Sequence, residues 1–179
     1  MNTMKNKVAY ITGGSKGIGL GIARTLLEAG MKVAISGRNT EAIEQAKKDL
    51  GNQNVIALTS DVRNFEDEQK AVNTVIKEFG KIDVVIANAG LGRFAPVHEM
   101  SLKDWNIMID TNLTGVFHTL KATAGQLIQN KGYYISIASL AGTNFFANGA
   151  GYNASKFGVV GFTQAAMLDL RNYDVKCTT

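Results

Sequence analysis

The sequence predicts an α/β fold of the doubly wound type, in which helices cover both faces of a parallel β-sheet. Two observations predict it: short apolar runs alternate with segments of helical periodicity, and glycine, 19 of the 179 residues, often separates them. Strands that are covered on both faces read as continuous apolar runs, and glycine permits the tight turns between elements. A length of 179 residues and a hydrophobic content of 45% suit a single domain that spans residues 1–179.

The elements alternate along the chain. Strands are expected at residues 7–12, 32–36, 54–58, 82–87 and 132–138, where apolar residues run together. Helices are expected at 18–27, at 41–50, from the capping residue Asn64 to Gly80, at 102–129 and at 150–171. Residues 174–179 are typical of the start of a sixth strand. Such a strand needs a covering helix and none follows, so we expect the chain to be truncated within it.

Charge is spread along the chain rather than concentrated. Lysine and arginine exceed aspartate and glutamate by 19 against 15, yet the longest basic run is the pair Lys47–Lys48. A nucleic-acid site or a membrane-surface patch is built from clustered basic residues, and a membrane span needs about 20 consecutive apolar ones. We therefore expect neither a nucleic-acid partner nor a membrane partner.

The cysteine and histidine content gives two further expectations. Cys177 is the only cysteine and cannot form an internal disulfide, which favours a reducing cytoplasm. His98 and His118 are distant in the chain and have no cysteine or paired carboxylate at ligand spacing. No metal site is therefore expected.

A glycine-rich loop lies between the first strand and the first helix. Its sequence, TGGSKGIG at residues 12–19, places backbone N–H groups and the positive end of a helix where they can hold a pyrophosphate. The spacing differs from the common GxGxxG fingerprint, so a plain strand-to-helix turn is the alternative, but the position directly after the first strand favours a dinucleotide site. The candidate cofactor-binding residues of this loop are Gly13, Ser15, Lys16, Gly17, Ile18 and Gly19.

The end of the second strand indicates which dinucleotide is bound. An acid at this point bonds the ribose 2′-hydroxyl of NAD, whereas an arginine accommodates the 2′-phosphate of NADP. The strand ends Ser36-Gly37-Arg38 and no acid occurs before Glu41. Arg38, aided by Lys16, therefore favours NADP over NAD, the alternative being that both are solvated surface charges.

The sequence closely resembles the short-chain dehydrogenase/reductase family, and within it the NADP-dependent group that includes the ketoacyl carrier-protein reductases. The resemblance covers nearly the whole chain, implies a Rossmann-like fold and rests on motifs that occur in the family's order. These motifs are the TGGSKGIG loop, Asp61-Val62, Asn88-Ala89-Gly90, Asn112, Ser139 and the pair Tyr152 and Lys156.

The resemblance implies roles for the residues that follow the third and fourth strands. Asp61 would hydrogen-bond the adenine amino group and Val62 would supply a backbone contact, whereas the plain alternative for Asp61 is a capping or turn residue. Asn88, Ala89 and Gly90 would let the backbone lie against the adenosine ribose, with a purely structural turn as the alternative.

The catalytic set can be argued from chemistry as well as from resemblance. Hydride reduction of a carbonyl puts negative charge on oxygen, so the site needs a polarising donor and a proton source. Tyr152 and Lys156 are neighbours on one helical face, and the ammonium can lower the cost of forming a phenolate. We expect Tyr152 to be the proton donor in reduction and the base in oxidation, and Ser139 to bind the substrate oxygen. By resemblance, Tyr152 and Lys156 also contact the cofactor, Lys156 through the nicotinamide ribose. The resemblance further implies that Asn112 holds a proton-relay water, although a lone helical asparagine can simply cap or kink.

These observations favour an NADP-dependent oxidoreductase that acts on a carbonyl or alcohol group. Its substrate would be a small molecule or an acyl thioester such as a 3-oxoacyl thioester. Leu91, Phe94 and residues 141–150 are uncharged and suit a mostly apolar carbonyl compound. The alternatives are an NADP-binding protein without catalysis and an inactive fragment of a reductase. The resemblance also implies a homodimer or homotetramer formed by the helices at 102–129 and 150–171.

Overall fold

The computed structural model describes residues 4–51 and 53–179. Its strands are β1 (Val8–Thr12), β2 (Lys32–Gly37), β3 (Val55–Thr59), β4 (Val84–Ala87), β5 (Tyr133–Ser136) and β6 (Lys176–Thr178). Its α-helices are α1 (Gly17–Glu28), α2 (Thr40–Leu50), α3 (Phe65–Phe79), α4 (Leu102–Ile109), α5 (Gly115–Asn130) and α6 (Ala150–Leu170). The predicted strands are all found, the sixth included, with boundaries that differ by at most a few residues.

All six strands pair in parallel, in the order β3-β2-β1-β4-β5-β6, which confirms the doubly wound, Rossmann-like sheet. Buried apolar residues of α1 and α2, among them Leu27 and Ile43, pack on one face of the sheet. Residues of α3, α5 and α6, among them Val75, Leu120 and Val159, pack on the other. Strands β2 and β3 lie on one side of β1, and β4 lies on its other side. The connections after β1 and β4 therefore run in opposite directions, and a crevice forms at the carboxyl ends of these two strands.

The region predicted as one long helix at 102–129 is not continuous. It consists of α4, a π-helical turn at Asp110–Thr114, and α5. A π turn adds one residue to a helical turn and is common at functional sites. Within this π-helical turn, Asn112 is fully buried and its side chain forms hydrogen bonds with the backbone of Leu91. The amide of Asn112 therefore faces the loop that follows β4.

A buried carboxylate ties the carboxyl end of β3 to its neighbours. Glu68 of α3 is fully buried and accepts hydrogen bonds from Tyr10 in β1 (3.0 Å), Ser60 after β3 (2.6 Å) and Thr119 in α5 (3.0 Å). Burial raises the pKa of Glu68, and the three hydroxyl donors partly oppose that rise. Since Ser60 also lines the crevice, this cluster holds one wall of the site in place.

Candidate cofactor and active site

A cleft of about 580 Å³ lies at the carboxyl ends of the central strands. The predicted residues that line it are Gly13, Ser15, Lys16, Gly17, Ile18, Arg38, Val62, Asn88, Ala89, Gly90, Tyr152 and Lys156. Leu91 and Phe94, which were expected to border the substrate, line it too. The other predicted residues, Gly19, Asp61, Asn112, Ser139 and those at 141–150, lie outside this lining. The fold thus gathers seven segments of the chain around one space.

The glycine loop at one end of the cleft is fastened to the loop after β4. The Asn88 side-chain amide donates to the carbonyl oxygens of Thr12 (2.9 Å) and Gly13 (3.0 Å), and the Thr12 hydroxyl accepts from the N–H groups of Asn88 and Ala89. Gly13 has a φ of +66°, and a Cβ there would lie 2.8 Å from the Cα of Ala89. Only glycine fits this approach, which brings the loop and the start of α1 together as a phosphate cradle requires.

Two cations lie on the cleft wall at this end. Lys16 precedes α1, Arg38 follows β2, and both are exposed and line the cleft. No acid occupies the first turn of α1, so its positive end adds to these charges. This end of the cleft therefore suits a group with several negative charges.

Asp61 lies just outside the lining, paired with a neighbour. Both of its carboxylate oxygens accept from Nε of Arg63, each at 3.0 Å. Partial burial raises the pKa of Asp61, but hydrogen bonds and charge from Arg63, together with the charge of Arg38, hold it below its ordinary value. Asp61 is thus an ionised acceptor, and its contact with an adenine amino group remains a prediction.

Tyr152 and Lys156 lie one helical turn apart at the other end of the cleft, on the first turns of α6. Tyr152 is half-buried, and Nζ of Lys156 lies 5.9 Å from the centroid of its ring. The Lys156 side chain is buried, and Nζ donates to the carbonyl oxygen of Ile137 at 2.7 Å. Desolvation lowers the pKa of Lys156 to about 8. This ammonium therefore changes its charge close to the neutral range.

Ser139 begins the short 3₁₀ turn Leu140–Gly142 that follows β5. Its hydroxyl oxygen accepts from the Ala141 N–H at 3.1 Å, which fixes the side chain while leaving its own proton free to donate. The serine does not line the cleft itself, although its neighbours Ile137 and Ala138 do. Its role as a substrate-binding donor stays a prediction.

Asn112 lies behind the cleft beside Lys156. Its amide nitrogen donates to the Leu91 carbonyl (2.8 Å) and to Ser155 Oγ (3.0 Å), and its oxygen accepts from the Leu91 N–H (2.8 Å). A Cβ at Gly90 would lie 3.3 Å from Asn112 Oδ1 and 3.7 Å from Lys156 Nζ. Both polar groups therefore face the glycine at position 90. With both amide protons donated to protein atoms, a water held by this side chain must use the remaining lone pair of Oδ1.

Several lining residues were missed by sequence reasoning. Ser60, Gly92 and Thr111 line the cleft, and the carbonyl of Ile137 holds Lys156. Among the buried side-chain oxygen and nitrogen atoms of the described residues, the Thr111 hydroxyl oxygen alone has no hydrogen-bond partner. Thr111 could have been suspected only because it precedes Asn112. The other residues belong to no motif, and their importance comes from their place in the fold.

Two properties of residues 4–51 and 53–179 bear on other classes of site. They contain no group of three or more histidine, cysteine, aspartate or glutamate residues placed to hold a metal ion. Their helices include none that is both long and apolar enough to cross a bilayer.

Fold and cleft together define the class of protein: a doubly wound α/β domain with a glycine-lined crevice at the switch point of its sheet. The family model described as short chain dehydrogenase matches residues 7–179. The chain therefore belongs to the short-chain dehydrogenase family and, at that level, is an oxidoreductase.

Known proteins that are similar to the chain differ in what their names state. A 3-oxoacyl-(acyl-carrier-protein) reductase of Chlamydia muridarum is 36% identical over 179 residues, covering 96% of this chain and 72% of the relative. NAD⁺-bound xylitol dehydrogenase matches with a TM-score of 0.93 at 35% identity, covering 98% of this chain and 69% of that one. An alcohol dehydrogenase of the archaeon Thermococcus sibiricus, complexed with 5-hydroxy-NADP, has a TM-score of 0.89 at 34% identity, with 94% and 72% covered. Neighbours of this fold thus bind NAD or NADP.

Proposed function

We propose that the chain is an NADP-dependent oxidoreductase that transfers a hydride between nicotinamide and a carbonyl or alcohol substrate. The observation that carries this proposal is the cleft with Tyr152 and Lys156 at one end and the glycine loop at the other. A phenol beside a buried ammonium can give and take a proton, and a glycine loop at a helix start can hold a pyrophosphate. The glycine-loop end would therefore hold the cofactor, and the Tyr152–Lys156 end would carry out the proton transfer.

The chain's own groups would handle the proton and the charge on oxygen. Bound NADPH supplies the hydride. The Tyr152 hydroxyl donates its proton to the carbonyl oxygen in reduction and takes it back in oxidation. The Lys156 ammonium, held by the Ile137 carbonyl, stabilises the phenolate that remains. The Ser139 hydroxyl, fixed by the Ala141 N–H, donates to the same substrate oxygen and stabilises its negative charge.

The preference for NADP rests on charge at the cofactor end. Arg38 and Lys16 line the cleft there, and Asp61, which follows β3, already binds Arg63 through both oxygens. A 2′-phosphate would gain charge-assisted hydrogen bonds from Arg38, whereas an NAD ribose would find no carboxylate free of an arginine partner among these residues. NAD is the alternative cofactor, and the KM values of wild type and Arg38→Asp for NADPH and NADH distinguish the two.

The substrate would be a small carbonyl compound, and 3-oxoacyl thioesters are the first candidates. A relative with 36% identity carries that activity in its name. Purified protein should oxidise NADPH in the presence of acetoacetyl thioesters or another member of a carbonyl panel.

Replacing Tyr152 by Phe tests the proton-donor role. The variant should lose turnover by about three orders of magnitude, because it removes the proton source. It removes no charged group that contacts the cofactor. NADPH affinity, measured by fluorescence titration, should stay near the wild-type value. Substantial turnover by Tyr152→Phe would exclude the proposed donor. NADPH binding without oxidation of any carbonyl by the wild type would instead favour a binding protein or an inactive fragment.

We also propose that the chain associates with itself through α5 and α6. An apolar groove of about 280 Å³ runs between these helices, lined by Phe117, Leu120, Lys121, Ala124, Phe162, Ala165, Ala166, Asp169 and Leu170. The groove leaves apolar side chains of both helices available to the same surface of a second copy, as a two-fold interface requires. Light scattering should give a dimer or tetramer, and a monomer at all concentrations tested would contradict this proposal.

A further inference from the structure

Two phenylalanine rings are exposed at the open end of the cleft, beside Tyr152. Phe94 is 60% exposed and Phe146 is 47% exposed. The Phe94 ring lies 5.7 Å from the Tyr152 ring at an interplanar angle of 66°, and 5.9 Å from the Phe146 ring at 49°. The three rings, Phe146, Phe94 and Tyr152, form a continuous aromatic row that ends at the proposed proton donor.

Each phenylalanine ring is seated on a glycine. A Cβ at Gly92 would lie 2.7 Å from Cζ of Phe94, and a Cβ at Gly149 would lie 2.4 Å from Cε2 of Phe146. No real Cβ is tolerated at such distances, so any larger residue would displace the ring. Each ring therefore lies directly against the backbone of a glycine, although much of its surface is open.

The two loops that carry these rings are joined to each other and to α6. The Ala95 N–H donates to the carbonyl oxygen of Asn148 at 3.0 Å. The Asn153 amide, on the residue after Tyr152, donates to the carbonyl oxygens of Ala141 and Asn144, each at 2.9 Å. The aromatic row is thus positioned with respect to Tyr152 by hydrogen bonds as well as by ring contacts.

Apart from Lys156 of the proton-transfer pair, none of the lining residues at this end of the cleft carries a charge. Its charged lining residues among those described are Lys16, Arg38 and Lys156, and all three belong to the cofactor side or to the proton-transfer pair. Arg93, next to Phe94, directs its Nε toward Asp104 Oδ1 at 3.5 Å. A charged substrate group would therefore lie against apolar ring surface here, while Lys156 is held by the Ile137 carbonyl and Arg93 faces Asp104.

We propose that the aromatic row is a subsite for an aryl or similarly flat apolar group carried by an uncharged carbonyl substrate. Aromatic pairs prefer offset or edge-to-face contacts with centroids about 4.5–7 Å apart, and the tilted rings leave their faces available for such contacts. An aryl group seated there would place its attached carbonyl beside the Tyr152 hydroxyl. This inference rests on the proposed reductase function and specifies its substrate class.

Three matched ketones test the proposal with purified protein and NADPH: an aryl methyl ketone, its cyclohexyl counterpart, and the aryl ketone with a ring carboxylate. The aryl ketone should have the highest kcat/KM, with the carboxylated one lower by about tenfold or more. Phe94→Ala should lower kcat/KM for the aryl ketone by about tenfold, mainly through KM, and leave NADPH affinity unchanged. Tyr173→Ala, which removes a ring that is 53% exposed after the far end of α6, should change none of these values.

Binding measurements separate this inference from the proposed function. Titration of the protein, with NADP⁺ present, by the corresponding aryl alcohol should show saturable binding that Phe94→Ala weakens about tenfold. Such binding without turnover would refute the reductase function and support the subsite. Turnover with equal or greater preference for the cyclohexyl or carboxylated ketone would overturn the subsite while leaving the reductase intact. Equal losses on all three ketones in Phe94→Ala, or no aryl binding by the wild type, would also overturn it.

Discussion

The two ends of the cleft are built in different ways. The end at the glycine loop, proposed to bind the cofactor, is called the cofactor end, and the end at Tyr152 and Lys156, proposed to carry the proton transfer, is called the catalytic end. At the cofactor end, backbone atoms approach each other so closely that glycines at positions 13 and 19 are required. At the catalytic end, side chains from separate elements meet: Lys156 bonds the carbonyl of Ile137, and Asn112 bonds Leu91 and Ser155. One end depends on the absence of side chains, and the other on their presence.

This difference decides how each end responds to substitution. A single added methyl group cannot be absorbed where its neighbours are backbone atoms. A changed side chain at the catalytic end can leave the fold intact, because the backbone there is held by several bonds. The cofactor end should therefore fail in binding, whereas the catalytic end should fail in rate or in pH dependence.

Among substitutions at the glycine-loop end, the largest effect on cofactor binding is expected for Gly19→Ala. Its Cβ would lie 2.5 Å from the carbonyl oxygen of Gly13 and 2.6 Å from Nδ2 of Asn88, so the loop must move and the Asn88 bonds must break. We expect NADPH affinity to fall by about 100-fold or more and the free energy of unfolding to fall by about 2 kcal/mol. Fluorescence titration and denaturant unfolding measure the two quantities.

Gly21→Ala is the matched control on the same helix. A Cβ there meets no atom within 4 Å, and alanine favours a helix over glycine. This variant should keep its NADPH affinity and gain roughly 0.5–1 kcal/mol in the free energy of unfolding. Unchanged affinity in Gly19→Ala would contradict the view that backbone approach builds the cofactor end.

An intermediate effect is expected for Arg38→Asp, which changes charge without changing the backbone. Loss of charge-assisted bonds to a 2′-phosphate should raise the KM for NADPH by roughly 10- to 100-fold. The KM for NADH should fall or stay constant, because an acid at this position can accept from a ribose hydroxyl. Arg24→Asp, an equal change of charge on α1 away from the cleft lining, should leave both values unaltered. An unchanged preference in Arg38→Asp would remove the basis for NADP.

The cofactor end is also the part of the site that sequence reasoning reached most directly. Its residues are adjacent in the chain, and their pattern follows from the local geometry of a strand, a turn and a helix start. Strands β1 to β5 were predictable for the same reason, since buried parallel strands read as apolar runs. The capping of α3 by Asn64, which accepts from the Asp67 N–H at 3.2 Å, is another local feature that the sequence revealed.

Features that join distant segments were not predictable from local pattern. The π-helical turn at 110–114 interrupts a sequence with ordinary helical periodicity, and only the contact of Asn112 with Leu91 shows its use. The buried Glu68 looks like any charged residue in the first turn of a helix until its hydroxyl donors are brought together. Their roles come from the three-dimensional arrangement, which has no counterpart in residue spacing.

A smaller effect, set by pH, is expected at the catalytic end. Desolvation lowers the pKa of Lys156 to about 8, so its ammonium is lost as the pH rises through that value. If only the ammonium form supports proton transfer, kcat/KM for reduction should fall about tenfold per pH unit above pH 8. Lys156→Arg, whose guanidinium stays charged, should be slower at all pH values but should not show this fall.

Stability should respond to the same titration with the opposite sign. Between pH 8 and 10.5 the unfolded chain holds the proton of Lys156 and the folded chain does not, so rising pH favours the folded state in this window. Relative to Lys156→Met, the wild-type free energy of unfolding should therefore rise by about 3 kcal/mol from pH 8 to 10.5. Activity would fall while this contribution to stability grows, a combination that general alkaline unfolding cannot produce. Activity that stays constant to pH 9.5 would show instead that the ammonium is retained, and the catalytic end would then be less desolvated than its buried lysine indicates.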